Sequence, residues 1–122
     1  MDSSNSMASY NIESIQVLVI DEHVHLRAAI CDVLRNLGVR NIREADSIER
    51  GYVLTQEINP DLIFIDWTPD FDGIGLLQKI RTDPKSPNPY VAVIVMTGFS
   101  ESEYVISARD AGMDRYLAKP VS

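Results

Sequence analysis

Four short runs in this chain each stop at a residue that can do chemistry. Residues 17–20 (VLVI) end at Asp21-Glu22 and residues 62–65 (LIFI) at Asp66. Residues 91–96 (VAVIVM) end at Thr97, and residues 115–118 (RYLA) at Lys119. Gathered in one cleft, the carboxylates of Asp21, Glu22 and Asp66 would repel each other. At ~5 Å and an effective dielectric of ~20 the cost is about 3 kcal/mol per pair. A bound cation or a shared proton offsets such repulsion. Oxygen donors with no cysteine nearby suit a hard divalent ion, and Mg²⁺ is the most available one for phosphate chemistry. Lys119 adds a positive point charge and Thr97 a hydroxyl, both suited to phosphoryl oxygens. Together these groups suit an aspartyl phosphate, with a strand-end carboxylate as nucleophile.

The elements that must position them are legible from periodicity. The runs at 17–20 and 62–65 are continuously apolar, as strands buried on both faces are. Leu26, Ala29, Ile30, Val33, Leu34 and Leu37 form a helical stripe that Gly38 stops. Residues 41–45 read as a weaker strand. Asp46 with Glu49 resembles a capping box for a helix carrying Ile48, Tyr52, Thr55 and Ile58, and Asn59-Pro60 ends it. Asp72-Gly73 opens a helix with Ile74, Leu77 and Ile80, followed by a proline-rich loop over 82–90. Ser100 with Glu103 marks a second capping box, for a helix that ends at Gly112. Five strands alternating with four helices predict a doubly wound α/β fold with a five-stranded, mostly parallel sheet and right-handed crossovers. Ligands of such sheets sit at the carboxyl ends of the strands, where Asp21, Glu22, Asp66, Thr97 and Lys119 would converge.

Composition narrows the function classes. The 122 residues are 45% hydrophobic and 24% charged, the balance of one globular domain. Eleven Lys and Arg against eighteen Asp and Glu give a formal charge of −7, a poor field for nucleic acid or an anionic membrane. No apolar run approaches the ~18–20 residues of a membrane span. The start of the chain has no signal-peptide pattern. Cys31 is the single cysteine, which fits a reducing cytosol and a small buried hydrophobe. His23 and His25 do not share a helix face and read as surface histidines rather than metal ligands. Gly73 and Gly75 do not make a dinucleotide loop, because Gln78 stands where the third glycine belongs. Trp67 reads as a partly exposed loop residue beside Asp66.

IDE at 20–22, FIDWTPDFDGIGLL at 64–77, VMTG at 95–98 and AGMDRYLAKP at 111–120 resemble the receiver domains of two-component response regulators. The resemblance runs from about Val17 to Pro120 and implies the flavodoxin-like strand order 2-1-3-4-5. By position it implies Asp66 as phosphoacceptor, and Asp21, Glu22, Asp66 and the backbone carbonyl of Thr68 as Mg²⁺ ligands. It further implies Thr97 and Lys119 as phosphoryl-binding groups, with Thr97 and Tyr116 as the switch pair. The phosphoryl donor would be a sensor histidine kinase or a histidine phosphotransfer protein, in the cytoplasm. A cis bond at Lys119-Pro120 is implied as well.

Some positions depart from the commonest family pattern. Glu22 is one methylene longer than the usual aspartate. Thr68 and Phe99 stand where phosphoryl lifetime is tuned. Residues 1–14 are expected to be a flexible tail, and 15–122 a receiver without its last helix. That missing helix would leave apolar surface around Leu117 bare, to be covered by a continuation of the chain or by a second copy in a homodimer. The expected function is a signalling switch whose output surface lies around helix 4 and strand 5. The rival readings are an enzyme turning over a phosphorylated small substrate and a degenerate protein-binding module. Thr68, where a general-acid carboxylate would stand, argues against the enzyme. Intact Asp66, Thr97 and Lys119 argue against the module.

Overall fold

The computed structural model describes residues 11–98 and 102–119. In chain order the elements are β1 (Gln16–Ile20), α1 (Val24–Asn36), β2 (Asn41–Ala45), α2 (Ile48–Ile58) and β3 (Leu62–Asp66). They continue as α3 (Gly73–Thr82), β4 (Ala92–Thr97), α4 (Ser102–Asp110) and β5 (Arg115–Ala118). All four strand pairings are parallel, and the sheet order is β2-β1-β3-β4-β5. This is the doubly wound arrangement expected from the sequence.

Alternate strand residues point to opposite faces and build two cores. Leu18, Ile20, Ile63, Ile65, Val93 and Val95 pack with Leu54 of α2, Leu76, Leu77 and Ile80 of α3, and Ala108 of α4. Val17, Val19, Phe64 and Met96 pack on the other face with Cys31 and Leu34 of α1. The continuously apolar strands follow from this: β1, β3 and β4 have no face left for water.

Two local readings are corrected. The N-cap of α2 is Ser47, one residue after the expected Asp46; its hydroxyl accepts from Arg50 N at 3.1 Å. Ser47 holds the extended backbone that a cap requires, and a hydroxyl reaches the third helical N–H as well as a carboxylate does. The apolar stripe of α1 is also wider than the face the sheet accepts. Cys31 and Leu34 are buried, while Val33 (58%) and Leu37 (64%) lie exposed. Leu117 on β5 is 47% exposed. The cap expected at Ser100, the Phe99 position and the Lys119-Pro120 bond lie outside the described residues.

Among the described residues, no helix is long and apolar enough to cross a membrane. One close approach matters for the site. The backbone of Gly73, first residue of α3, rests on the carbonyl of Asp66, and a Cβ built there would fall inside that oxygen and against Ile65. Asp72 caps the same helix end, accepting from Gly75 N at 2.9 Å. The strand end that carries Asp66 is thus seated against a helix start.

Candidate functional site

Asp21, one residue past β1, and Asp66, the last residue of β3, are both fully buried at the carboxyl edge of the sheet. The main chain fixes each of them. Asp21 N donates to Ala45 O at 3.0 Å, and Asp21 O accepts from Arg27 Nη1 at 2.7 Å. Arg27 is held in turn by Glu44, at 2.9 Å. Immediately after Asp66, Trp67 N donates to Met96 O at 2.8 Å, keeping β3 and β4 in step to their ends.

Lys119 enters between the two carboxylates. Its backbone N–H donates to Thr97 O at 2.8 Å, which sets the turn-in after β5. Its ammonium is ion-paired with Asp66 Oδ1 and lies 3.5 Å from Asp21 Oδ2. His23 faces the other side: Nδ1 is 3.2 Å from Asp21 Oδ1 and 3.8 Å from Asp66 Oδ2. Apart from these ion pairs, no hydrogen-bond donor among the described residues reaches Asp21 Oδ2 or either oxygen of Asp66. Burial pushes the Asp66 carboxyl above its ordinary range, Lys119 opposes that, and the neighbouring Asp21 charge raises it further.

Thr97 is fully buried at the end of β4, and Tyr116 lies half-buried on β5 against the core. Burial pushes the Tyr116 hydroxyl up, and the nearby Thr97 side chain opposes the shift. Thr68 is half-buried, in a loop closed by reciprocal backbone bonds with Phe71 at 3.1 Å, so its carbonyl already accepts one of them. Glu22 is exposed and lines a groove with His23 and Lys119 at the mouth of the site. Asp21, Asp66, Thr97 and Lys119 therefore converge as expected, with Tyr116 behind Thr97 and Glu22 at the rim.

Three residues of the site were not assigned to it from sequence. His23 was read as a surface histidine; although its ring is more than half exposed, its Nδ1 turns back onto the carboxylates. Arg27 was hidden inside an apolar helical stripe. Tyr104 of α4 meets Trp67 edge to face, with centroids 5.4 Å apart. Only the His23 position, next to the acidic pair, offered a local signal.

Buried carboxylate oxygens short of donors, beside further oxygen donors at Glu22 and Thr68, fit a hard divalent cation. Compared with known families, residues 17–122 match the response regulator receiver domain. The chain belongs to this family. The receiver is 35% identical over 109 residues to a probable chemotaxis protein CheY of Rhizobium etli, covering 88% of this chain and 83% of that one. It is 35% identical over 105 residues to the KDP operon transcriptional regulatory protein KdpE of Escherichia coli, covering 85% of this chain and 44% of that longer one. Among solved structures, the receiver domain of Francisella response regulator 1452 superposes with a TM-score of 0.77 at 30% identity, covering 89% and 87% of the two chains. The receiver domain of the histidine kinase CKI1 from Arabidopsis thaliana, complexed with Mg²⁺ and BeF₃⁻, gives a TM-score of 0.77 at 26% identity, covering 88% and 83%.

Proposed function

We propose that this receiver is the phosphoacceptor switch of a two-component phosphorelay, with Asp66 as the acceptor. The observation that carries the reading is the state of Asp66: fully buried at a strand end, ion-paired with Lys119, and with no other hydrogen-bond donor among the described residues on its oxygens. A carboxylate that gives up hydration for one ammonium and keeps lone pairs free is poised to react.

In the proposed step an Asp66 oxygen attacks the phosphorus of a phosphohistidine on a sensor histidine kinase or phosphotransfer protein. The O–P bond forms, the P–N bond breaks, and the donor imidazole leaves. Lys119 holds the attacking carboxylate in place and neutralises charge on the transferred group. Thr97 offers its hydroxyl to a phosphoryl oxygen. Mg²⁺, held by Asp21, Glu22, Asp66 and the Thr68 carbonyl, would supply further charge neutralisation, and the complex of the CKI1 receiver with Mg²⁺ supports the choice of ion. The phosphoryl group replaces one negative charge with about −1.5 to −2 and brings new acceptors. Thr97 and Lys119 close on those acceptors, Tyr116 follows, and the surface around α4 and β5 changes. The protein acts in the cytoplasm and turns over no separate substrate.

The test is incubation with acetyl phosphate and Mg²⁺, read by intact mass. The wild type is expected to gain one phosphoryl mass, stable on the timescale of the measurement, and Asp66→Asn none. A phosphoryl gain in Asp66→Asn at the wild-type rate would sink the assignment.

A further inference from the structure

His23 occupies the N-cap of α1, with extended backbone angles of φ −85° and ψ 109°. Ser, Thr, Asp and Asn are favoured there because they accept a helix N–H. The His23 side chain makes no such bond. Its ring instead faces Asp21 and Asp66, while its backbone N–H donates to Asp21 Oδ1 at 2.9 Å. Lys119 takes Asp66 Oδ1 and Asp21 Oδ2, while His23 Nδ1 faces Asp21 Oδ1 at 3.2 Å and Asp66 Oδ2 at 3.8 Å.

A hydrogen bond does not explain this placement fully. One Nδ1 proton cannot satisfy both carboxylates, and 3.8 Å is beyond hydrogen-bond range. Asp66 Oδ2, fully buried and aimed at the ring, has no donor. Donor atoms ~2.0–2.2 Å from a common ion lie about 2.8–3.6 Å apart in tetrahedral or octahedral geometry. Atoms of Asp21, His23 and Asp66 all fall within 4.8 Å of one another, and the 57%-exposed imidazole is free to move toward Asp66, the farther of its two carboxylates at 3.8 Å.

We infer that His23 Nδ1 is a metal ligand, and that with Asp21 and Asp66 it holds a borderline first-row divalent ion of the zinc, cobalt or nickel class in preference to Mg²⁺. Imidazole suits these ions, whereas Mg²⁺ favours oxygen and keeps its water. Lys119 does not obstruct the ion, because it engages the opposite oxygens. The inference deepens the proposed function, since it names the ion class of the same acidic site. It needs only the juxtaposition of the three side chains, not the phosphoryl chemistry.

The test uses the chain without a polyhistidine tag. Co²⁺ and Mg²⁺ are titrated separately, read by Trp67 fluorescence and, for Co²⁺, by visible absorption. Wild type is expected to bind Co²⁺ at least about tenfold more tightly than Mg²⁺. His23→Gln should lose most of that margin, with its Mg²⁺ affinity moving less than about threefold. His25→Gln, two residues along the same exposed groove, should change neither. Addition of Zn²⁺ should shift the His23 Nδ1 resonance in ¹⁵N NMR. An unshifted resonance, or Co²⁺ binding in His23→Gln as tight as in wild type, overturns the inference. Acetyl phosphate labelling keeps the two readings apart. Asp66 labelled with His23-independent Co²⁺ binding sinks the metal inference alone. Asp66 unlabelled with His23-dependent Co²⁺ binding sinks the phosphoacceptor alone.

Discussion

The two ends of the sheet treat buried charge in opposite ways. At the amino edge, Arg81 from the last turn of α3 reaches under β4 and β5. Its guanidinium donates to Gly112 O twice (3.0 and 2.7 Å), to Pro89 O at 2.9 Å, to Val91 O at 2.6 Å and to Asp114 Oδ2 at 3.1 Å. Asp114 Oδ2 also accepts from Val93 N at 2.8 Å, so the clamp ties α3, β4 and the α4–β5 turn together. Gly112, at φ +103°, is needed for that turn and leaves room for the Arg81 stem. At the carboxyl edge, one lysine serves two buried aspartates, and apart from the ion pairs no donor among the described residues reaches three of their four oxygens. The difference teaches where the molecule invests in rigidity: full hydrogen bonding fixes one edge, and under-satisfied charge marks the other, the edge to which the proposed function assigns its chemistry.

The comparison breaks most visibly at Arg81. Arg81→Ala strips donors from three backbone carbonyls and leaves the Asp114 carboxylate to the Val93 N–H, and the expected loss is about 2–4 kcal/mol in urea denaturation. A loss within error would mean that the clamp is ornamental. Asp66→Asn should act in the other direction. It relieves crowding with Asp21 in the metal-free chain and is expected to stabilise the fold by about 1 kcal/mol, measured by the same denaturation in excess chelator. A destabilised Asp66→Asn would show that Lys119 fully compensates the pair.

Acid titration sharpens the contrast through sign. Asp83, after α3, is held below the ordinary carboxylate range by the Lys85 backbone N–H and the Tyr52 hydroxyl. Its contribution is present above the unfolded value of about 3.9 and is lost as pH falls through its lower folded value. Asp66 is raised, so the fold favours its protonated form. Its penalty is absent below about pH 3.9 and develops as pH rises through the higher folded value. Stability curves of Asp83→Asn and Asp66→Asn against wild type should therefore diverge in opposite senses across these windows. Parallel curves would remove the distinction. The smallest effect is expected for Tyr52→Phe. It gives up the 2.8 Å bond to Asp83 while keeping the ring beneath Lys79, and should lower the denaturation midpoint only slightly.

What was legible in the sequence depended on range. The strands were legible because burial on both faces forces continuous apolar runs, and their last residues were legible because parallel topology aligns carboxyl ends. Asp21, Asp66, Thr97 and Lys119 followed from that alignment alone. His23 did not, because a ring one residue outside a helix can turn outward or inward, and only the positions of Asp21 and Asp66 in space decide which. Arg81 was missed for a related reason. Its partners at 89, 91, 112 and 114 are mostly backbone carbonyls, which carry no sequence signature. The outer edge of α1 was misread because periodicity reports an apolar stripe, whereas burial depends on how much of it the sheet covers.

The contact between Trp67 and Tyr104 sets how far a chemical event must travel. Trp67 follows Asp66 directly, is tied through its N–H to the end of β4, and rests edge-on against the ring on α4. One peptide plane and one aromatic contact separate the Asp66 carboxylate from a helix on the periphery. A shift of the main chain at residue 66 is thus geared into α4 without crossing the core, and the indole that carries it is also the chain's own optical gauge of that movement.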